Sequence, residues 1–301
     1  MTNQLLASYS NVAVYSAMAV LTLAMLAFTV DLARAAAPAA PVTTAGAAAP
    51  APRTRRASGV AMALTWLGGA LAVAGVVLRG LSVTRVPWGN MYEFATTGAA
   101  AVIAAYLLLG LRRDLRWLGL FVVGPALLTL GLAVTVYYTQ ASQLLPALRS
   151  VWLVIHVSVA IVSIAVFTVA FSVTIVYLVK ARRETRPPAR TTFMEALPDA
   201  AALERTSYAL HIVAFPLWTF TLIAGAIWAE QAWGAYWQWD PKEVWTFIIW
   251  VVYAAYLHAR ATGGWSRTRA ALIACAGYAA ILVNYMVVNV YFVGMHSYSG
   301  M

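Results

Sequence analysis

The chain has 301 residues, of which 62% are hydrophobic and only 10% charged, where a soluble domain would carry roughly a quarter charged residues. Its formal charge of +10 would point to nucleic acid in a soluble protein, but here the charges sit between long apolar runs, where Lys and Arg report membrane orientation instead. The single cysteine, Cys275, excludes an intrachain disulfide and a CxxC redox pair, and no GxxxxGK[ST] loop marks an ATP-driven engine.

The first apolar run, about 10–32, has no Lys or Arg before it and is long enough to span a membrane, so it reads as a helix rather than a cleaved signal. Arg34 follows it, which places the N-terminus outside. Residues 35–57 form a linker whose Ala/Pro/Thr stretch has little to bury. Seven further spans are expected at about 58–79, 92–111, 117–138, 152–179, 207–229, 244–259 and 270–293. A basic, proline-containing connection, Lys180 to Arg205, separates spans five and six. The fold class is therefore all-α, a polytopic membrane bundle of about eight transmembrane helices. Of the 20 basic residues, only Arg79, Arg85, Arg149 and Lys242 fall on one side of this layout. Excess Lys and Arg mark the cytoplasmic side, so both termini are expected outside.

The outward loops collect polar and aromatic groups. One reads Pro87-Trp88-Gly89-Asn90-Met91-Tyr92-Glu93, and a second ends at Trp152 with His156 one turn further on. A third runs from Trp233 through Tyr236, Trp237, Trp239, Asp240 and Lys242 to Trp245, and the C-terminal tail holds His296. Any single Trp here fits an interfacial aromatic belt. Four Trp and a Tyr within thirteen residues form a platform suited to a large flat apolar ligand. Asp240, Pro241 and Glu243 also read as N-cap, N1 and N3 of span seven, a capping box. Lys242 is either a solvated charge or the partner of a ligand carboxylate.

Two imidazoles at one membrane face suit axial ligation of a haem iron. Zinc would want a third and fourth ligand, and no Cys or further His is near. His258 lies fifteen residues after Glu243, about 22 Å along a helix, so it belongs near the cytoplasmic end of span seven. His211, early in span six, falls at a similar depth; the two could meet, or either could face a partner.

The run 233–245 resembles the tryptophan-rich WWD domain of the CcsA/ResC family of system II cytochrome c biogenesis, called CcsB in actinobacteria. The resemblance covers most of residues 80–300, through Pro87–Glu93, Leu145–His156, Ile223–Trp245, Tyr256–Arg260 and His296–Tyr298. It implies that residues 58–301 form a haem-handling domain with its WWD loop at 230–245. It further implies haem b as the transported ligand, with His156 and His296 as outer axial ligands and His258 as a transmembrane ligand. Trp233, Tyr236, Trp237, Trp239, Asp240 and Trp245 would cradle the porphyrin, and Lys242 or Arg149 would meet its propionates. The implied partners are a ResB-like membrane protein, apocytochrome c with its CxxCH segment, and thiol-reducing proteins that prepare the cysteines. No nucleic acid partner is implied. The implied location is the bacterial cytoplasmic membrane, with the active face extracytoplasmic and the chain serving as membrane subunit of a haem lyase complex. A cytochrome b-type electron carrier would instead place paired histidines mid-helix at both depths. A transporter with an aromatic entrance would place charges near mid-membrane.

Overall fold

The computed structural model describes residues 2–36, 56–143, 150–185 and 192–296. Among them there is no strand, and eight helices are long and apolar enough to cross a membrane. They are α1 (Gln4–Ala36), α2 (Arg56–Val83), α3 (Met91–Gly110), α4 (Gly119–Thr135), α5 (Val151–Glu184), α6 (Ala200–Trp233), α7 (Pro241–Ala261) and α8 (Arg267–Val283). A 3₁₀ turn, Arg116–Leu118, leads into α4, and α8 continues through a π-turn, Asn284–Val288, to Tyr291. In a hydrocarbon layer every backbone group must find a partner within the chain, and helices do this locally.

The chain's own polar residues set the helix starts. Asn90, Ser150, Asp199, Asp240 and Ser266 are side-chain N-caps of α3, α5, α6, α7 and α8. Gly234, at φ +76°, closes α6 in the left-handed conformation and turns the chain into the Trp loop. The described residues of the expected connection from Lys180 to Arg205 are largely helical: α5 runs on to Glu184 and α6 begins at Ala200, with a 3₁₀ turn at Phe193–Ala196. Charged residues ended the apolar runs there, but Lys, Arg and Glu are good helix formers and extend both helices past the apolar layer. Of the linker, residues 37–55 lie outside the described part.

Helix α5 is the axis of the bundle. One apolar cluster packs α1 to α4 against it around Leu21, Ile103, Tyr106 and Val173, and a second packs α6 to α8 against it around Phe167, Trp218, Ile249 and Tyr253. Helices α1 and α2 pair closely because a Cβ at Gly75 would come within 2.8 Å of Val14 Cγ2, the small-residue approach that drives helix association in lipid. Helix α7 leaves more of its surface uncovered than any other span. The N-terminus reaches the same end of the bundle as the Trp loop, with Asn3 N–H donating to the Ser82 carbonyl at 2.7 Å.

Candidate functional site

At that end of the bundle a cavity of about 210 Å³ opens between α3, α5, α6, α7 and α8, and both His156 and His296 line it. The two histidines, 140 positions apart in sequence, are each held through Nδ1. His156 stands on the second turn of α5, where Ser150 caps the helix through Trp152 N–H at 3.2 Å. Its Nδ1 lies 2.9 Å from the Thr221 carbonyl; a carbonyl only accepts, so Nδ1 carries the proton and Nε2 keeps the lone pair. The ring approaches α6 because residue 225 is glycine: a Cβ there would sit 2.7 Å from His156 Cε1. His296 Nδ1 lies 2.8 Å from Asp240 Oδ1, and by the same logic donates to it. Both imidazoles thus keep Nε2 free as a ligand nitrogen, the arrangement in which an outer hydrogen bond fixes tautomer and ring plane.

Trp228 joins them. Its ring stacks on His156 at 6.1 Å and meets His296 edge-on at 5.6 Å. Trp233 supports both, 4.8 Å from Trp228 and 4.8 Å from His296. Trp237 and Tyr236 line the cavity, but Trp239 is 76% exposed and Trp245 packs into the core with the Trp218 cluster. The residues of the loop therefore form two layers and an outward-facing rim rather than one platform. An α-helical turn faces successive residues in different directions, and the break at Gly234 redirects those that follow.

Asp240 is the capping residue read from sequence and more. Its Oδ1 accepts from Lys242 N–H at 2.9 Å and from His296, and its Oδ2 accepts from Met295 N–H at 2.5 Å. Burial raises its carboxyl pKa, but the His296 ring and the Lys242 and Met295 N–H groups outweigh this and hold it below the ordinary value of 3.8. Glu243 completes the capping box by accepting from Asp240 N–H at 3.2 Å. Lys242 turns into the cavity wall, where Nζ donates to the Asn284 carbonyl at 3.1 Å and to Asn289 Oδ1 at 2.6 Å. Arg149 lies outside the described residues.

Several contributors were not singled out from sequence. Glu93 is fully buried and accepts from Arg79 Nε at 3.0 Å, from Arg85 at 2.7 Å and from Gly89 N–H at 2.8 Å. This fixes the loop that presents Trp88, Gly89 and Asn90 to the cavity. Trp228 and Gly225 were hidden inside an apolar span, and Asn284 inside another; only packing shows which face of each helix they occupy. Among the described residues, the buried polar atoms left without a partner include Trp88 Nε1, Trp228 Nε1, Trp237 Nε1, Glu243 Oε1 and Asn284 Oδ1, all on residues that line this cavity. Native proteins rarely leave buried polar atoms unpaired, and five such atoms belong to residues of this one cavity.

The remaining two histidines part company. His211 is buried against Phe167, Tyr253 and Tyr256, with Nδ1 2.8 Å from the Ser207 carbonyl. His258 is exposed on the last turn of α7 and is not among the rings packed on His211. Among the described residues no group of three or more His, Cys, Asp or Glu could hold a metal ion.

Comparisons with known proteins place the chain in a family. The profile of the cytochrome C assembly protein family matches residues 88–296, a stretch running from the first cavity residue, Trp88, to the last, His296. The cytochrome c biogenesis protein CcsA of Prochlorococcus marinus is 36% identical over 273 residues, covering 80% of this chain and 84% of that protein. CcsA of a Synechocystis species is 31% identical over 290 residues, covering 76% and 86%. Among solved structures, the cytochrome c haem lyase CcmF superposes with a TM-score of 0.67 at 18% identity, over 95% of this chain and 47% of that one, a likeness of fold. The chain is a multi-pass membrane protein of cytochrome c biogenesis and belongs to the cytochrome c assembly protein family, alongside the CcsA proteins.

Proposed function

We propose that the cavity holds haem b as substrate, with His156 Nε2 and His296 Nε2 as its axial ligands, and presents it for attachment to the CxxCH segment of apocytochrome c. The observation that carries this reading is the pair of imidazoles, each fixed through Nδ1 with Nε2 free, on one aromatic-lined cavity. Bis-imidazole ligation suits haem iron, and Trp228, Trp233, Trp237 and Tyr236 offer the apolar ring surface a porphyrin needs. The cysteine thiols add across the haem vinyl groups, sulfur bonding to one vinyl carbon and the proton to the other, with no net redox change. The chain's residues hold and orient the porphyrin.

In the same reading the cavity opens on the extracytoplasmic face of the bacterial cytoplasmic membrane. The basic residues support it, since Lys and Arg gather at the opposite end of the bundle. His258 serves as a ligand for haem on its way from the cytoplasmic side, together with a residue of a ResB-like partner. Its exposure on the least covered helix supports this, as does the lack of a side-chain partner among the described residues. Thiol-reducing proteins keep the recipient cysteines available.

The test is the absorption spectrum of detergent-purified protein co-expressed with its ResB-like partner, for the wild type and His156→Ala, His296→Ala and His258→Ala. Co-purified haem with a bis-imidazole spectrum, lost in the two cavity variants and recovered on adding imidazole, is expected. Wild type devoid of haem, or cavity variants with an unaltered spectrum, would refute the ligand assignment.

A further inference from the structure

Thr221, Gly225 and Trp228 stand four and three residues apart on α6, the spacing of one helix face, and all three line the cavity. Each of them meets His156. The Thr221 carbonyl accepts from Nδ1 at 2.9 Å, and Gly225 leaves room where a Cβ would sit 2.7 Å from Cε1. The Trp228 ring stacks on the imidazole with an interplanar angle of 15°. The hydrogen bond fixes one ring nitrogen but leaves the ring free to turn about it, and the indole face removes that freedom. Trp228 is itself buried, with Trp233 edge-on against it at 4.8 Å, so packing sets its plane.

The same indole also meets the other histidine. Trp228 and His296 lie at 66° to one another, and Trp233 meets that imidazole at 74°. His296 is anchored at Nδ1 by Asp240, so indole contacts again decide how the ring is turned. Because Trp228 touches both imidazoles, its two interplanar angles bound the angle between them. That angle lies between their difference, 51°, and their sum, 81°. The two imidazole planes are therefore closer to perpendicular than to parallel.

We infer that Trp228 is a positioning residue that holds the imidazoles of His156 and His296 with their planes crossed, so that an iron porphyrin bound by both takes its axial ligands in the near-perpendicular arrangement. This rests on the haem reading, with Nε2 of each histidine as ligand. Each imidazole donates π electrons into the iron dπ orbital that lies perpendicular to its own plane. Parallel rings act on the same dπ orbital and split the pair, whereas crossed rings act on one each and leave the pair nearly degenerate. Near-degeneracy gives low-spin ferric iron a highly anisotropic magnetic signal. It also withholds the stabilisation that a split pair lends the ferric state, so crossed rings favour ferrous iron. Trp228 thus tunes the metal without touching it, through the orientation of the ligands.

The experiment is low-temperature electron paramagnetic resonance of the full chain in detergent, loaded with less than one equivalent of ferric protoporphyrin IX and checked by absorption for bis-imidazole ligation. Wild type is expected to show the isolated low-field line of crossed rings. Trp228→Leu keeps an apolar side chain but offers no flat face. It is expected to shift the line to higher field, toward the resolved rhombic spectrum of parallel rings, with bis-imidazole absorption retained. Trp228→Phe, which restores a flat ring, is expected to keep the wild-type line. A rhombic spectrum in wild type would overturn the inference while leaving the histidine ligation intact, and needs no variant to fold. An unchanged line in Trp228→Leu would overturn the role of Trp228. Loss of haem from both variants would overturn it too, since the indole would then serve binding rather than orientation. Failure of wild type to give bis-imidazole absorption would overturn the haem reading and this inference with it.

Discussion

Asp240 holds His296 across 56 positions of sequence, Nδ1 donating to Oδ1 at 2.8 Å, with the same carboxylate capping α7 and binding the Met295 N–H. One side chain therefore starts a helix and fixes the tail that carries a cavity histidine. Asp240→Ala is expected to remove the cap, at about 1 kcal/mol, and to release the tail. The readout is hydrogen exchange at Met295, which should lose its protection. Gly294→Ala should release the tail by another route, since a Cβ there would overlap Asp240 Oδ2 and lie 3.1 Å from Pro241 Cδ. Retained protection in both variants would mean that the tail is anchored elsewhere.

The same clamp has a defined pH dependence. The Asp240 carboxyl lies below its ordinary value of 3.8 in the folded chain. A lowered folded value means that the unfolded chain binds more protons as pH falls. The stabilisation is thus complete above the ordinary value and disappears only as pH drops through the folded one. The Met295 exchange protection contributed by Asp240 should therefore be flat from neutral pH to about 5 once intrinsic exchange is corrected, and vanish only in stronger acid. A midpoint between pH 5 and 7 would contradict this.

Gly225 admits His156 to α6. Gly225→Ala would place a methyl 2.7 Å from Cε1 and 2.9 Å from Nδ1. The ring must then leave its stack on Trp228 and its bond to Thr221. Overpacking of this kind costs about 1–3 kcal/mol, so thermal melting in detergent should shift downward. Gly131→Ala is the matched control, because nothing lies within 4 Å of a Cβ there, and a helical glycine replaced by alanine in open space tends to stabilise by about 0.4–1 kcal/mol. Equal melting of the two variants would show that α6 yields to the added methyl without cost.

Glu93 neutralises two arginines where water is excluded. Arg79 and Glu93 are 3% and 0% exposed in their side chains. Removing one partner of a buried pair strands the other charge, at about 3–5 kcal/mol. Glu93→Gln should therefore be strongly destabilising, whereas Asp114→Asn at the exposed pair with Arg116 should cost about 0–1 kcal/mol. Thermal denaturation in detergent measures both. A small effect at Glu93 would mean that Arg79 and Arg85 find other partners once its charge is removed.

Much of the architecture follows from local chemistry. Eight apolar stretches and the cap at Asp240 act within a few residues, so composition and spacing alone determine that these are membrane helices. The family was legible for the same reason, since the Trp loop and its neighbours are contiguous. His156 and His296 were legible as residues of one face, because an even number of crossings returns the chain to the side from which it started. What the linear pattern left open is which way each side chain points once eight helices pack. An apolar span has no polar stripe to mark its inner face, so Trp228, Gly225 and Asn284 were invisible as cavity residues. The separation of His211 from His258 was equally hidden. The five aromatic residues of the Trp loop were alike in sequence, and only tertiary contacts sent Tyr236 and Trp237 to the cavity, Trp233 behind His296, Trp245 to the core and Trp239 to the surface. The Arg79–Glu93–Arg85 cluster and the Asp240–His296 bond join groups on different elements, and their energies exist only when desolvated side chains are brought together by packing.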